Sequence, residues 1–355
     1  VVDAHIDQEV LDLSTNVKVG IIGATGYVGA ELVRALSRHR GFQITSLVSQ
    51  SYAGKAFADI YPALKGITDM ICSPLDIDAV SSSCDVVVTA LPHGVSSEVV
   101  PVLLGKGVRV LDHSGDFRYK DRSIYETAYK LKHPAPHLLA EAVYGLPEFY
   151  REQIKEARLV ANPGCYPTCS LLALTPLFRR NLIDPDSLII SAASGISGAG
   201  RKSDIAYQYC EAAESFRAYS VTGHRHTSEI EEILTLQTGV KTAITFTPHL
   251  APMKRGMLAT IYADVSSGCD LKTLRNAYAE DYDNEFFVRL LPEGMSPDTA
   301  NVAFSNFADI AVFFEERTGR ATLLSSIDNL GKGASLQAVQ ALNIMFGFNE
   351  TEGLI

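Results

Sequence analysis

The run VKVGIIGATGYVGAELVRALSRH, residues 17–39, limits the fold more than any other part of the chain. Residues 17–22 are rich in β-branched side chains and suit a short buried strand. GATGYVG follows with no spacer, and Val28, Leu32 and Leu36 then recur at helical spacing. A strand, a glycine-rich turn and a helix in that order open a βα unit of a parallel, helix-covered sheet. In such a turn Gly23 permits the tight bend, Gly26 lets backbone approach a pyrophosphate, and Gly29 lets the helix pack on the sheet. Thr25, Tyr27 and Val28 complete the loop and the first helical turn, where free N–H groups face an anion. The spacing is GxxGxxG and not GxGxxG, so its meaning comes from its place at the head of the first βα unit. A dinucleotide is the expected ligand.

Later segments repeat the pattern of an apolar strand ending in small or polar residues: FQITSLV (42–48), CDVVVTAL (84–91), GVRVLDHSG (107–115) and ARLVANPG (157–164). Beyond Cys165 strands follow one another: SLIISAASGISGAGRK (187–202), KTAITFT (241–247), GMLATIYADV (256–265), ADIAVFF (308–314) and RATLLSSI (320–327). EERTGR joins the last two as a hairpin, so a second, mostly antiparallel sheet is expected. With 355 residues the chain has room for two such domains. GASLQAVQALNIMFGF closes it with helical spacing at Leu336, Val339 and Leu342.

Residues 1–16 hold four acids and no base, unlike a secretory or organellar leader, and read as a flexible extension. The six cysteines show no paired or metal-ligand spacing, so no metal is expected and a reduced, cytoplasmic setting is. A formal net charge of −10 argues against nucleic acid or an anionic membrane as partner. Anion-binding groups must then be gathered locally.

Twenty residues past the glycine loop, NAD-binding folds place an acid on the ribose hydroxyls. Here the second strand ends VSQSYAGK, with Ser49, Ser51 and Lys55 and no carboxylate, which favours NADP(H) over NAD.

VANPGCYPTC (160–169) places Cys165 on a turn before the apolar run SLLALTPLF, expected to be helical despite Pro176. A thiol at a helix N-terminus feels the positive dipole end, which favours thiolate. Cys72, Cys84, Cys169, Cys210 and Cys269 read as packing residues. GHRHTSEI (223–230) supplies His224 and His226 around Arg225, with Glu229 able to orient one of them. Histidine can take a thiol proton or give one to a departing oxyanion. In an extended segment the two would point to opposite sides, so one of them is expected to face the thiol, His224 being the first choice. Arg118, Arg201, Lys202, Lys254 and Arg255 each lie beside glycine, proline or a polar turn and are candidates for anion binding.

Together these stretches resemble the N-acetyl-γ-glutamyl-phosphate reductase family of arginine biosynthesis. GATGYVGAELVR, ALPHGVS, DHSGDFR, VYGLPE, NPGCYPT, SGISGAGRK, HRHTSEI, FTPHLAPMKRGML and IDNLGKGAS carry the resemblance, in order, from about residue 17 onward. It implies a Rossmann NADP domain over 17–164, completed by 329–355, and a glyceraldehyde-3-phosphate-dehydrogenase-like α+β domain over 165–328 that mediates a homodimer or homotetramer. The sequence departs at GASLQAVQ, where Leu336 stands for the family's usual glycine.

The resemblance also implies that Cys165 is the nucleophile. A thiolate would expel phosphate from a small acyl phosphate, store the acyl group as a thioester, and present it to hydride. Backbone N–H groups of the SGISGAG loop, including Ser197 and Gly198, would meet oxyanion or cofactor. Pro92, His93 and Asn329 would touch the cofactor. Asn162, Arg225 and Glu229 join the cations Arg118, Arg201, Lys202, Lys254 and Arg255 as candidates around the substrate. A phosphorylating dehydrogenase of aspartate semialdehyde or of carrier-bound aminoadipate semialdehyde remains an alternative reading, as does an NADPH-binding regulator without catalysis. A Cys–His hydrolase leaves the glycine loop unexplained.

Overall fold

The computed structural model describes residues 16–201 and 203–355; the expected extension over 1–16 lies outside them but for residue 16. The first sheet comprises β1 (Val17–Ile22), β2 (Phe42–Val48), β3 (Val86–Thr89), β4 (Arg109–Asp112), β5 (Val143–Tyr144) and β6 (Leu159–Ala161). Its order is β2-β1-β3-β4-β6-β5, and all its pairings are parallel. The chain passes from β1 outward to β2 and returns to β3 on the other side. That reversal opens a crevice at the carboxyl ends of β1 and β3, where ligands of open α/β sheets bind.

The second sheet comprises β7 (Ile189–Gly195), β8 (Arg217–Ala218), β9 (Thr245–Ala251), β10 (Met257–Asp264), β11 (Val288–Leu290), β12 (Ala308–Glu315) and β13 (Arg320–Ile327). This sheet is mixed, which corrects the expectation of a mostly antiparallel one. β7 runs parallel to β9 and β11 parallel to β12, while β12–β13, β13–β10, β10–β7 and β9–β8 are antiparallel. Sequence succession made neighbours look like hairpins. In fact a helical crossover, His226–Thr238, separates β8 from β9 and allows β9 to lie parallel beside β7.

The helix Cys165–Arg179 ties the sheets together, and every residue from Tyr166 to Phe178 is buried. Pro176 cannot donate to the carbonyl of Leu172, four residues back. That orphaned oxygen accepts instead from the Tyr282 hydroxyl at 2.7 Å. A tertiary hydrogen bond therefore replaces the missing helical one, and the helix continues through the proline.

The last helix, Leu336–Phe346, returns to the first sheet. Val339, Leu342, Ile344 and Met345 share a core with Val19 and Ile21 of β1 and with Leu32 and Leu36 of the helix Tyr27–Leu36. Burial of each such side chain is worth about 1.5–3 kcal/mol. Leu336, the departure from the family pattern, packs partly buried against the same core.

Candidate active site

A cavity of about 940 Å³ runs from the glycine loop to the start of the Cys165–Arg179 helix. Gly23, Thr25, Gly26, Tyr27 and Val28 line one end. Gly23 has φ +87°, and a Cβ there would strike the Ala90 carbonyl. Gly29 lies behind the loop, where a side chain would strike the backbone of Ala24. The helix Tyr27–Leu36 begins at Gly26 with no side-chain cap, so its first-turn N–H groups have no intrahelical acceptor. A pyrophosphate would satisfy them, and no acid stands in that turn to repel it. The residues present fit a dinucleotide.

Pro92, His93, Ser197, Gly198 and Asn329 line the middle of the cavity. Asn329 ties the segment after β7 to the start of β10: its Nδ2 donates to Ser197 Oγ at 2.9 Å and its Oδ1 accepts from Gly256 N at 2.8 Å. The backbone N–H groups of Ile196, Ser197 and Gly200 already donate to Met253 O, Lys254 O and Ser197 O. This corrects the expectation that the 195–200 loop offers these amides to an oxyanion.

At the end of β2, Ser49 Oγ bonds Thr25 Oγ1 at 2.7 Å and is buried, while Ser51 lines the cavity. Lys55 does not line it: the ammonium lies over the Tyr52 ring, 5.7 Å from its centroid. Arg201 comes here instead of to the thiol, donating to Thr25 O at 3.1 Å.

At the other end Cys165 is the first residue of its helix, with Gly164 as N-cap, and it keeps part of its surface open. Burial pushes its thiol up to about 11. The N–H of Tyr166 and the charges of Arg118 and Arg225 pull the other way without prevailing, and Glu229 adds to the rise. Desolvation outweighs the helix dipole, so the resting sulfur is protonated, against the expected thiolate. Gly333 belongs to a single π-helical turn, Gly331–Ser335, laid against the thiol; a Cβ on it would come within 2.8 Å of Cys165 Cβ.

Of the histidines, His226 lines the cavity and His224 does not, which reverses the first choice made from sequence. The segment is not extended: a helix starts at His226, and the two rings lie 4.8 Å apart on one side. His224 packs edge-on against Tyr166, Tyr219 and Phe246, and its Nδ1 accepts the N–H of His226 at 3.2 Å. Burial lowers His224 to about 4, helped by Arg225. Burial, then His224, Arg225 and Arg118, hold His226 well below its ordinary value, and its Nδ1 has no hydrogen-bond partner. Thiol and imidazole, both lining the cavity, are thus each held toward the neutral form.

The candidate substrate residues separate. Arg225, an exposed residue, lines the cavity with its guanidinium carbon 5.9 Å from the Tyr129 ring centroid. Arg118 lines it too, but donates to Asn162 O, His113 O and Glu229 Oε2. Glu229 and Asn162 are buried and do not line it, which corrects their assignment to substrate. Glu229 accepts from Tyr144 OH at 2.9 Å and from Gly164 N at 3.0 Å. Lys254 and Arg255 face a separate cavity of about 770 Å³ behind the 195–200 loop, and Arg255 is paired with Asp328 and Glu31. Lys202 lies outside the described residues.

Sequence reasoning missed two groups. His113 lines the cavity; its Nδ1 faces Asn162 Nδ2 at 3.3 Å, and burial holds it near 3. Asp116 accepts from Gly94 N, Ser97 N and Tyr125 OH and so shapes the loop bearing Pro92 and His93. The signal was present: both belong to DHSGDFR, from which the arginine alone was taken. Among the described residues no aspartate or glutamate lines the cavity, whereas His93, His113, His226, Arg118, Arg201 and Arg225 do. An acidic chain has made a locally anion-accepting site.

A dinucleotide loop and a turn-borne thiol in one cavity define the class, and two family descriptions agree with it. "Semialdehyde dehydrogenase, NAD binding domain" matches residues 18–157, and "Semialdehyde dehydrogenase, dimerisation domain" matches residues 165–329. Aspartate semialdehyde dehydrogenase II of Vibrio cholerae shares the fold, with TM-score 0.72 at 15% identity over 94% of this chain and 99% of that one. The Candida albicans aspartate semialdehyde dehydrogenase solved with NADP gives 0.71 at 15% identity, covering 94% and 99%. In sequence the chain is 56% identical to N-acetyl-γ-glutamyl-phosphate reductase of Acetivibrio thermocellus, over 95% of this chain and 97% of the relative. It is 50% identical to that of Desulforudis audaxviator, over 96% and 98%. The chain belongs to the N-acetyl-γ-glutamyl-phosphate reductase family. Among the described residues no helix is long and apolar enough to cross a membrane.

Proposed function

We propose that this chain converts N-acetyl-γ-glutamyl phosphate to N-acetylglutamate 5-semialdehyde and inorganic phosphate, through a thioester on Cys165, in arginine biosynthesis. The single observation that carries this reading is the sharing of one acid-free cavity by the glycine loop, Cys165 and His226. Bound NADPH supplies the hydride. Cys165 Sγ attacks the acyl carbon as its proton passes to the imidazole of His226, a neutral base with an unpartnered nitrogen. The carbon–oxygen bond to phosphate breaks as His226 hands that proton to the departing oxygen, and Arg225, with no carboxylate partner among the described residues, meets the phosphate dianion. After reduction the thiohemiacetal collapses, the carbon–sulfur bond breaks, and His226 relays a proton taken from water to the sulfur. Arg118 and Glu229 act as positioning residues around Gly164.

The proposed domain division is 17–164 with 329–355 against 165–328. The packing of the last helix on β1 supports it. A homodimer or homotetramer in the cytoplasm is the matching assembly and setting, supported by the matched dimerisation domain and by cysteines that are all free.

The test is NADP- and phosphate-dependent oxidation of N-acetylglutamate semialdehyde beside aspartate semialdehyde. Wild type is expected to prefer the acetylated substrate. Cys165→Ser is expected to lose more than about a hundredfold in rate while binding NADPH as before. A serine variant within a hundredth of wild type rules out the covalent route.

A further inference from the structure

We infer that Arg201, reaching over from the second unit, is the group that receives the 2′-phosphate of the cofactor and sets its preference over NADH; this rests on NADPH being the dinucleotide.

The inference starts from where the ribose must lie. With the pyrophosphate at the N-terminus of the Tyr27–Leu36 helix, the adenosine ribose falls at the end of β2. There the cavity is lined by Thr25, Ser49, Gln50, Ser51, Tyr52 and Arg201. Ser49 is buried and already bonded to Thr25, so it has little left to offer a phosphate. Lys55, the cation the sequence favoured, is turned onto Tyr52 and away from the cavity.

Arg201 fills that vacancy in charge. Its guanidinium carbon lies 5.3 Å from the ring centroids of both Tyr52 and Tyr61, and these two cation–π contacts restrain it. Nη1 donates to Thr25 O at 3.1 Å and to Tyr61 OH at 3.3 Å, and Tyr61 OH itself donates to Thr25 O at 2.8 Å. These contacts hold one edge of the fork and, among the described residues, leave Nη2 and Nε for a ligand. A planar fork so fixed suits a phosphate better than a flexible ammonium does. Because Arg201 follows β7 of the second sheet and its partners belong to the first unit, the extra phosphate would also bridge the two units over the cofactor.

The experiment titrates wild type, Arg201→Ala, Arg201→Lys and Lys55→Gln with NADPH, NADH, 2′,5′-ADP and 5′-AMP by calorimetry. Arg201→Ala is expected to weaken NADPH and 2′,5′-ADP by about tenfold to a hundredfold, the range of a lost charge-assisted hydrogen bond. NADH and 5′-AMP are expected to change less than about threefold, and Arg201→Lys to recover part of the loss. Equal weakening of all four ligands, or a loss of discrimination in Lys55→Gln alone, overturns the assignment. Wild type that does not prefer NADPH overturns the cofactor reading itself, a distinct result.

Discussion

Glu229 Oε1 accepts the backbone N–H of Gly164 at 3.0 Å, and this hydrogen bond joins the two elements that carry the proposed nucleophile and base. Gly164 caps the helix that begins with Cys165, and Glu229 lies in the first turn of the helix that begins with His226. The same carboxylate takes Arg118 at 3.1 Å through its other oxygen. Thiol and imidazole are thus held to one buried anchor.

Removing the charge of that anchor should cost both stability and rate. Glu229→Gln leaves the Arg118 guanidinium buried beside a neutral amide, and losing one partner of a buried pair costs about 3–5 kcal/mol. Urea denaturation is expected to show that loss. kcat should fall with little change in affinity for NADPH, whose loop Glu229 does not touch.

A protonated resting thiol has a kinetic signature. With Cys165 pushed up to about 11, the thiolate fraction in the protein without ligands rises as pH rises toward that value. Alkylation by iodoacetamide should therefore accelerate by about tenfold per unit between pH 7 and 9. A rate that is flat over that range would mean a preformed thiolate.

His226 and His224 should separate cleanly. His226→Asn removes the imidazole that faces the cavity and is expected to slow thioester formation by about 10²–10⁴-fold in single-turnover experiments. His224→Asn disturbs the aromatic packing around Tyr166 and should cost about tenfold or less. The reverse order would restore His224 as the proton carrier.

Gly333→Ala tests the π-helical turn. Its added methyl must displace Cys165 or the turn, since 2.8 Å is shorter than any relaxed carbon–carbon contact. A fall in kcat of more than about tenfold is expected, because small misplacements of a reacting group are costly. Affinity for NADPH should hold.

Much of this was legible in the chain. The glycine loop, the parallel alternation and a thiol at a helix start follow from local rules of turn, period and cap, and each is a short-range property. What was missed depends on long-range partners. His224 was preferred to His226 because nothing in HRHTSEI marks His226 as the first helical residue, although the i, i+3 spacing to Glu229 was a clue. Lys254 and Arg255 had a suitable turn, yet the loop turns them to a second cavity, where Asp328 and Glu31 claim the arginine. Lys55 turns onto its neighbour Tyr52, and Arg201 comes to Tyr52 and Tyr61, a contact that can be seen only when distant segments meet. The thiol was misread for a related reason: the dipole is local, whereas desolvation depends on everything packed around the sulfur.

The seat of the Leu336–Phe346 helix on β1 has a cost in time. β1 ends at Ile22 and its covering helix starts at Leu336, so the two leave the ribosome far apart in time. At translation speeds of about 5–20 residues per second, an apolar face waits many seconds for its cover, open to aggregation or to a chaperone. Closure of this core is therefore gated by the Leu336–Phe346 helix, and the dinucleotide crevice cannot be complete before that helix has been made.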